Sequence, residues 1–209
     1  MIAQGSDEWF AQRLGRLTAS RMADVIARTK DGYSTSREKY MVELALERIT
    51  GARQEAYSNA AMEWGTNSEP LARAAYEADT GFLVIETGMV VHPRIAMAGA
   101  SPDGLVNHDG LLEIKCPQSA THVRNLCSGK PEGKYLTQMM WQMACTGRDW
   151  CDFVSYDPRM PDGLQLMVTR IERDEKRIHQ LEEEAEKFLA EVDAMVQRLL
   201  SMREERQAA

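Results

Sequence analysis

The segment covering residues 100–117, ASPDGLVNHDGLLEIKCP, constrains the fold of this chain more than any other. Two apolar runs are separated by NHDG and preceded by PDG, both turn-forming strings, so the segment spells a strand, a turn and a second strand. In LLEIKCP the period of two places Glu113 and Lys115 on one face and Leu112, Ile114 and Cys116 on the other. Asp103, between Pro102 and Gly104, sits where a strand bends or ends, which aims its side chain. A hairpin folded at NHDG carries Asp103 across to Glu113. On these residues alone two readings stay open: a hairpin with solvated charges, or one that gathers two carboxylates and an ammonium at the end of a sheet. Asp109 is a turn residue in either case.

Helical patterns fill the first third. SDEWFAQRLG offers Ser6 as an N-cap, acids in the first turn and Gly15 near the stop. TASRMADVIAR predicts a helix capped by Thr18. TSREKYMVELALERITG has Thr35 and Glu38 at capping-box spacing, apolar Tyr40, Val42, Leu44, Ala45 and Ile49, and Gly51 as terminator. AMEWGTNSEPLARAAYEADTG predicts two helical pieces, broken at Gly65 and Asn67, with Pro70 in the first turn of the second. The middle turns to β. FLVIETGMVVHP reads as strand, and MAGASPDGLV and GLLEIKCP as two more. Residues 118–133 read as a loop carrying Arg124 and Lys130. PEGKYLTQMMWQMACTG predicts a helix ending at Gly147, and WCDFVSYD and LQLMVTRIE predict strands joined by the turn PRMPDG. The tail, about 174–203, is one helix. Its apolar seam of Ile178, Leu181, Ala185, Phe188, Val192, Met195, Leu199 and Met202 advances by alternating steps of three and four. Such a helix lies on the sheet, or does so and also pairs with another subunit.

This order predicts an α/β fold, a central mixed sheet flanked by helices with a long C-terminal helix. The 209 residues suit one domain spanning 1–209, with a core of about 6–172 and the amphipathic helix of about 174–203 beyond it. No apolar run approaches the ~20 residues a membrane helix needs. The N-terminus has neither the basic start nor the apolar core of a secretory signal, so a cytoplasmic protein is expected. Cys116, Cys127, Cys145 and Cys151 form no C-x-x-C, and no histidine stands at zinc-finger spacing, so reduced thiols are expected rather than disulfides or zinc. No G-x-G-x-x-G or P-loop string occurs. The net charge of −7 argues mildly against nucleic acid as a partner. From Glu172 onward, however, eleven acids and seven bases account for −4 of it, leaving −3 for the rest. Acids clustered around a metal are neutralised as well. Charge leaves the partner open.

Two carboxylates held together repel unless something neutralises them. A divalent ion does so, and hard oxygen ligands suit Mg²⁺ or Mn²⁺. With a lysine beside it to orient water, such a site can hydrolyse a phosphodiester.

Other strings keep the hairpin company. RLGRLTAS, EWGTNSEPLA, SPDG…LEIKCP, YLTQMMWQM, YDPRM and IERDE follow one another along the chain. The ordered set resembles the lambda-phage exonuclease family, within the wider group of PD-(D/E)-x-K nucleases, over about residues 9–175. The resemblance implies a restriction-endonuclease-like core. It implies Asp103 and Glu113 as metal-binding carboxylates, the backbone carbonyl of Ile114 as a further ligand, and Lys115 as the residue that positions and activates water. Glu69 resembles the helix-borne acid near a second metal, and Gln138 the active-site glutamine. Arg13 and Ser20, joined by Ser101, resemble the pocket for a terminal 5′-phosphate, where a guanidinium grips phosphate and a hydroxyl at a helix start adds a donor. The role of Arg16 stays open. Implied with them are Mg²⁺, with Mn²⁺ as substitute and two ions per site, and processive 5′→3′ digestion of linear duplex DNA to 5′-mononucleotides. A homotrimeric ring around DNA ends, a single-strand annealing partner and the cytoplasm of a bacterium carrying a phage or prophage complete the expectation.

Two other functions remain on the sequence. One is an endonuclease built on the same core. The other is a non-enzymatic interaction protein resting on the tail's heptads.

Overall fold

A computed structural model describes residues 4–53 and 60–208. The chain runs α1 (Asp7–Arg13), β1 (Leu17–Thr18), a 3₁₀ turn (Ala19–Arg21), α2 (Met22–Ile26), β2 (Arg28–Thr29), β3 (Gly32–Tyr33), α3 (Thr35–Thr50) and α4 (Ala60–Thr80). Then follow β4 (Val84–Ile85), β5 (Val90–Val91), β6 (Ala98–Ala100), β7 (Gly104–Val106), β8 (Gly110–Lys115), α5 (Ser119–Ser128), α6 (Gly133–Thr146), β9 (Trp150–Tyr156), β10 (Leu166–Glu172) and α7 (Glu175–Ala208). A five-stranded sheet has the order β10-β9-β8-β7-β4, and a three-stranded one the order β1-β6-β5. β8 and β9 are parallel while the other pairs of the larger sheet are antiparallel, so that sheet is mixed. No helix among the described residues is long and apolar enough to cross a membrane.

Strand alternation sorts the core into two layers. Leu111 of β8 and Cys151 and Phe153 of β9 pack with α2, α3, α6 and α7. Leu112, Ile114, Val154 and Tyr156, on the opposite face, pack on Ala72 and Tyr76 of α4. Gly110 is required where β8 meets β9: a Cβ there would come 2.1 Å from the Trp150 ring. The hairpin expected at NHDG forms, with Val106 paired to Gly110 and Asn107 at φ 50.

Several expectations need correction. Thr18 precedes the 3₁₀ turn rather than α2, and its side chain makes no cap bond. It lies in β1, pairs with Gly99, and its N–H donates to the Tyr40 hydroxyl, so sheet pairing wins over helix. The cap of α3 is Ser34, not a Thr35–Glu38 box. α4 is one helix through Gly65, Asn67 and Pro70, because burial of Ala72 and Tyr76 outweighs local propensity. Residues 118–133 are not a plain loop: α5 is anchored by buried His122 and Asn125, both bonded to Ser155 Oγ. Polar anchors carry no apolar period to read. The run over 82–93 splits into β4 and β5, which belong to different sheets, and the strand expected over 97–106 splits into β6 and β7. The tail helix is as expected, and its seam is buried from Ile178 to Val192, beyond which Leu199 and Met202 stand exposed.

Candidate active site

The break between β6 and β7 is where the site is built. The Asp103 N–H donates to the Leu112 carbonyl at 3.1 Å, continuing the hairpin ladder by one residue. Its carboxylate then turns to β8 and accepts the Ile114 N–H at 2.7 Å. Ile114 is the residue between Glu113 and Lys115, so a single hydrogen bond seats Asp103 beside both. Glu113 is fully buried on the α6 side of the sheet. Its Oε1 pairs with Lys115 Nζ and accepts Gln138 Nε2 at 2.7 Å. Its Oε2 accepts Gln142 Nε2 at 2.6 Å. Lys115 also lies over the Tyr135 ring, 5.3 Å from its centroid.

Electrostatics follow from this crowding. Burial, then the Glu113 charge, pushes the Asp103 carboxyl well above its ordinary range, against the opposing pull of Lys115. Burial also raises Glu69, with Arg73 and Lys115 working against the rise. Burial draws the Lys115 ammonium down, but Glu113 and Asp103 more than reverse this and leave it above its ordinary value. The neighbouring Cys116 thiol is pushed up to about 12, first by burial and then by Glu69 and Asp103. The locality is thus short of positive charge, and its donors are oxygens, which fits a hard divalent cation. Among the described residues, no group of three or more His, Cys, Asp or Glu side chains gathers at one point. Asp103 and Glu113 are the pair that could hold an ion. Glu69 is drawn aside by Arg73 Nη2 at 3.0 Å, and the same nitrogen reaches the Asp103 carbonyl at 3.4 Å.

A second polar centre adjoins the first. Arg13, in the last turn of α1, donates from Nη1 to Ser101 Oγ at 3.2 Å, and Trp9 Nε1 donates to the same oxygen at 3.1 Å. The guanidinium lies 4.2 Å from the Trp9 ring centroid. Among the described residues no salt bridge engages Arg13, and burial lowers its pKa. A cleft of about 640 Å³ between α1 and α3 is lined by Arg13, Arg16, Ser20, Arg21, Lys39 and Arg53, among others. Ser20 lies 3.5 Å from Thr18 Oγ1, and Arg16 reaches the Ala96 carbonyl. Ser101 stands two residues before Asp103, which ties cleft and carboxylates to one stretch of chain.

Of the residues singled out from sequence, Glu113, Lys115 and Gln138 meet directly, Asp103 joins them through the Ile114 N–H, Glu69 faces them from α4, and Arg13 meets Ser101. Ser20 shares the cleft without joining that pair. Sequence reading missed Gln142, Arg73 and Trp9. A signal existed for each: Gln142 follows Gln138 by four, Arg73 follows Glu69 by four and Trp9 precedes Arg13 by four, which is one helical face each time.

Residues 8–149 match the YqaJ-like viral recombinase domain. The alkaline exonuclease LHK-Exo of Laribacter hongkongensis is 50% identical, with 98% of this chain and 100% of that chain covered and a TM-score of 0.89. Its structure in complex with dAMP is 51% identical over the same shares, at a TM-score of 0.90. A phage-related exonuclease of Haemophilus somnus 129PT shares the fold at 15% identity, with 88% and 96% covered and a TM-score of 0.68. No curated protein sequence gives a significant match. Fold and site together define a nuclease of the alkaline exonuclease class. The chain belongs to the YqaJ-like viral recombinase family.

Proposed function

We propose that the chain is a Mg²⁺-dependent, processive 5′→3′ exonuclease on linear double-stranded DNA. It releases 5′-mononucleotides and leaves a 3′-ended strand for annealing-type recombination. The observation that carries this reading is the adjacency of two centres: the Asp103–Glu113–Lys115 cluster, and Arg13 on Ser101, two residues upstream of Asp103. The first suits hydrolysis of a phosphodiester, and the second suits a terminal phosphate. The dAMP bound by LHK-Exo is itself a deoxynucleoside monophosphate, the kind of product such a reaction yields.

In this mechanism Asp103 and Glu113, together with the Ile114 carbonyl, would hold the ion. When bound, the ion supplies an activated water and neutralises charge developing on the phosphoryl group. Lys115, protonated beside Glu113, donates a hydrogen bond that orients the attacking water. Gln138 holds Glu113 Oε1 from the helix above. Glu69, beside the pair, is the acid on which a second ion would draw, and Mn²⁺ would replace Mg²⁺ in the same oxygen set. Arg13, Ser20 and Ser101 receive the 5′-phosphate exposed by each cut, which gives the reaction its direction. A homotrimeric ring around the duplex, a single-strand annealing protein as partner and the cytoplasm of a phage- or prophage-bearing bacterium complete the proposal.

The test is digestion of linear duplex carrying one labelled 5′-phosphate strand. Wild type with Mg²⁺ should release mononucleotides from the 5′ end, and D103N and K115A should lose at least about 10²-fold in rate. Undiminished cleavage by either variant would remove that residue from the mechanism. Nicking of a covalently closed circle would favour an endonuclease instead.

A further inference from the structure

The two oxygens of Glu113 live in different surroundings. Oε1 faces the open side, where its partners Gln138 and Lys115 are both partly exposed. Oε2 faces the closed side, where its partner Gln142 is completely buried between Trp141 and Met143. The orientation of the Gln142 amide is dictated by Glu113: only the NH₂ end can face a carboxylate, and the other end, Oε1, is buried with no hydrogen-bond partner among the described residues. An amide that already leaves its oxygen unpaired to serve Glu113 cannot release Oε2 without orphaning a second buried group, a cost of roughly 1–3 kcal/mol.

We infer that Gln142 is a positioning residue that limits Glu113 to binding a cation through one oxygen, Oε1, and so favours Mg²⁺ over Ca²⁺. This rests on the reading of Asp103 and Glu113 as cation ligands. The chemistry is that of coordination number. Mg²⁺ takes six ligands in a tight octahedron, which single carboxylate oxygens and waters satisfy. Ca²⁺ takes six to eight oxygens at longer range and readily accepts both oxygens of one carboxylate. With Oε2 fixed by Gln142, the second mode is closed to Glu113. The side chain touches no substrate and acts only through Glu113.

Isothermal titration of the full chain without DNA, first with Mg²⁺ and then with Ca²⁺, tests this. In Q142M, of similar length but with no donor, the ratio of the two dissociation constants should shift toward Ca²⁺ by about tenfold, the size of effect typical of groups that hold a ligand in place. Q142H, which retains a donor, should keep the wild-type ratio. A folded Q142M with an unchanged ratio overturns the inference and leaves the nuclease reading intact. Wild type that binds neither ion, or D103N that binds as wild type does, strikes instead at the assignment of the ligands. Independently of any variant, crystals soaked in Ca²⁺ should show Glu113 bound through Oε1 alone. A bidentate Glu113 in the wild-type protein overturns the inference.

Discussion

Asp103 and Glu113 are two neighbouring acids, Glu113 fully buried and Asp103 half-buried, and the residues around them divide into those that neutralise and those that orient. Arg13 belongs to neither group; in the proposed function it receives the 5′-phosphate. Replacing it with Ala should cut the preference for 5′-phosphorylated over 5′-hydroxyl ends by roughly tenfold to a hundredfold, the worth of one charged hydrogen-bonding group. Competitive digestion of the two substrates measures this, and an unchanged preference would take Arg13 out of the pocket. Asp157 allows a prediction about pH. Its buried carboxylate is pinned by Arg159, which holds its pKa at about 2, below the ordinary carboxylate range. The unfolded chain takes up the proton first, so this contribution to stability is full above about pH 4 and is lost as pH falls toward 2. Melting temperatures at pH 5 and pH 3 should therefore fall further in wild type than in D157N. Legibility at this scale was governed by distance along the chain. Asp103, Glu113 and Lys115 were readable because strand alternation and a short turn fix their relation locally. Gln142 was not, because a buried glutamine on an apolar helix looks like an ordinary polar residue until its partner on β8 is known.

Elements differ in how firmly they are tied down. Phe188 of α7 is fully buried, its ring 5.5 Å from that of Tyr40 and beneath the Arg37 guanidinium, which in turn pairs with Glu191. F188A should cost about 3–5 kcal/mol in urea unfolding. Ending the chain after Gln197 removes mostly exposed residues and should change stability by no more than about 0.5 kcal/mol. A large loss on that truncation would show that the distal helix supports the fold. On the sheet, G110A forces a methyl group into the Trp150 ring and should cost about 1–3 kcal/mol. The long strands, α3, α6 and α7 were legible because their apolar periods are long. Their ends, and α5 entirely, were not. His122 and Asn125 bury polar groups that only tertiary hydrogen bonds make tolerable, and β1 is two residues whose partners lie some eighty positions away.

Across the molecule, negative charge and nucleic-acid chemistry coexist by separation. Many acids of α7 are engaged by arginines elsewhere: Arg28 with Glu184, Arg37 with Glu191, Arg48 with Asp193 and Arg94 with Glu182. The basic residues of the α1–α3 cleft lie elsewhere, and Arg13 among them reaches Ser101 in the segment that leads into Asp103. The mixed sheet itself was foreseeable from the order of patterns; the pairing of Arg13 with Ser101, 88 residues apart, was foreseeable only through the family resemblance, since no local rule spans that interval. That interval also sets an order of completion as the chain is made. Arg13 is synthesised first and the hairpin much later. The hairpin then still lacks Gln138 and Gln142 from α6, and the flanking strand β9. Under the proposed function, a ribosome-bound fragment would therefore carry the arginine that receives a 5′-phosphate before the cluster that cuts is complete.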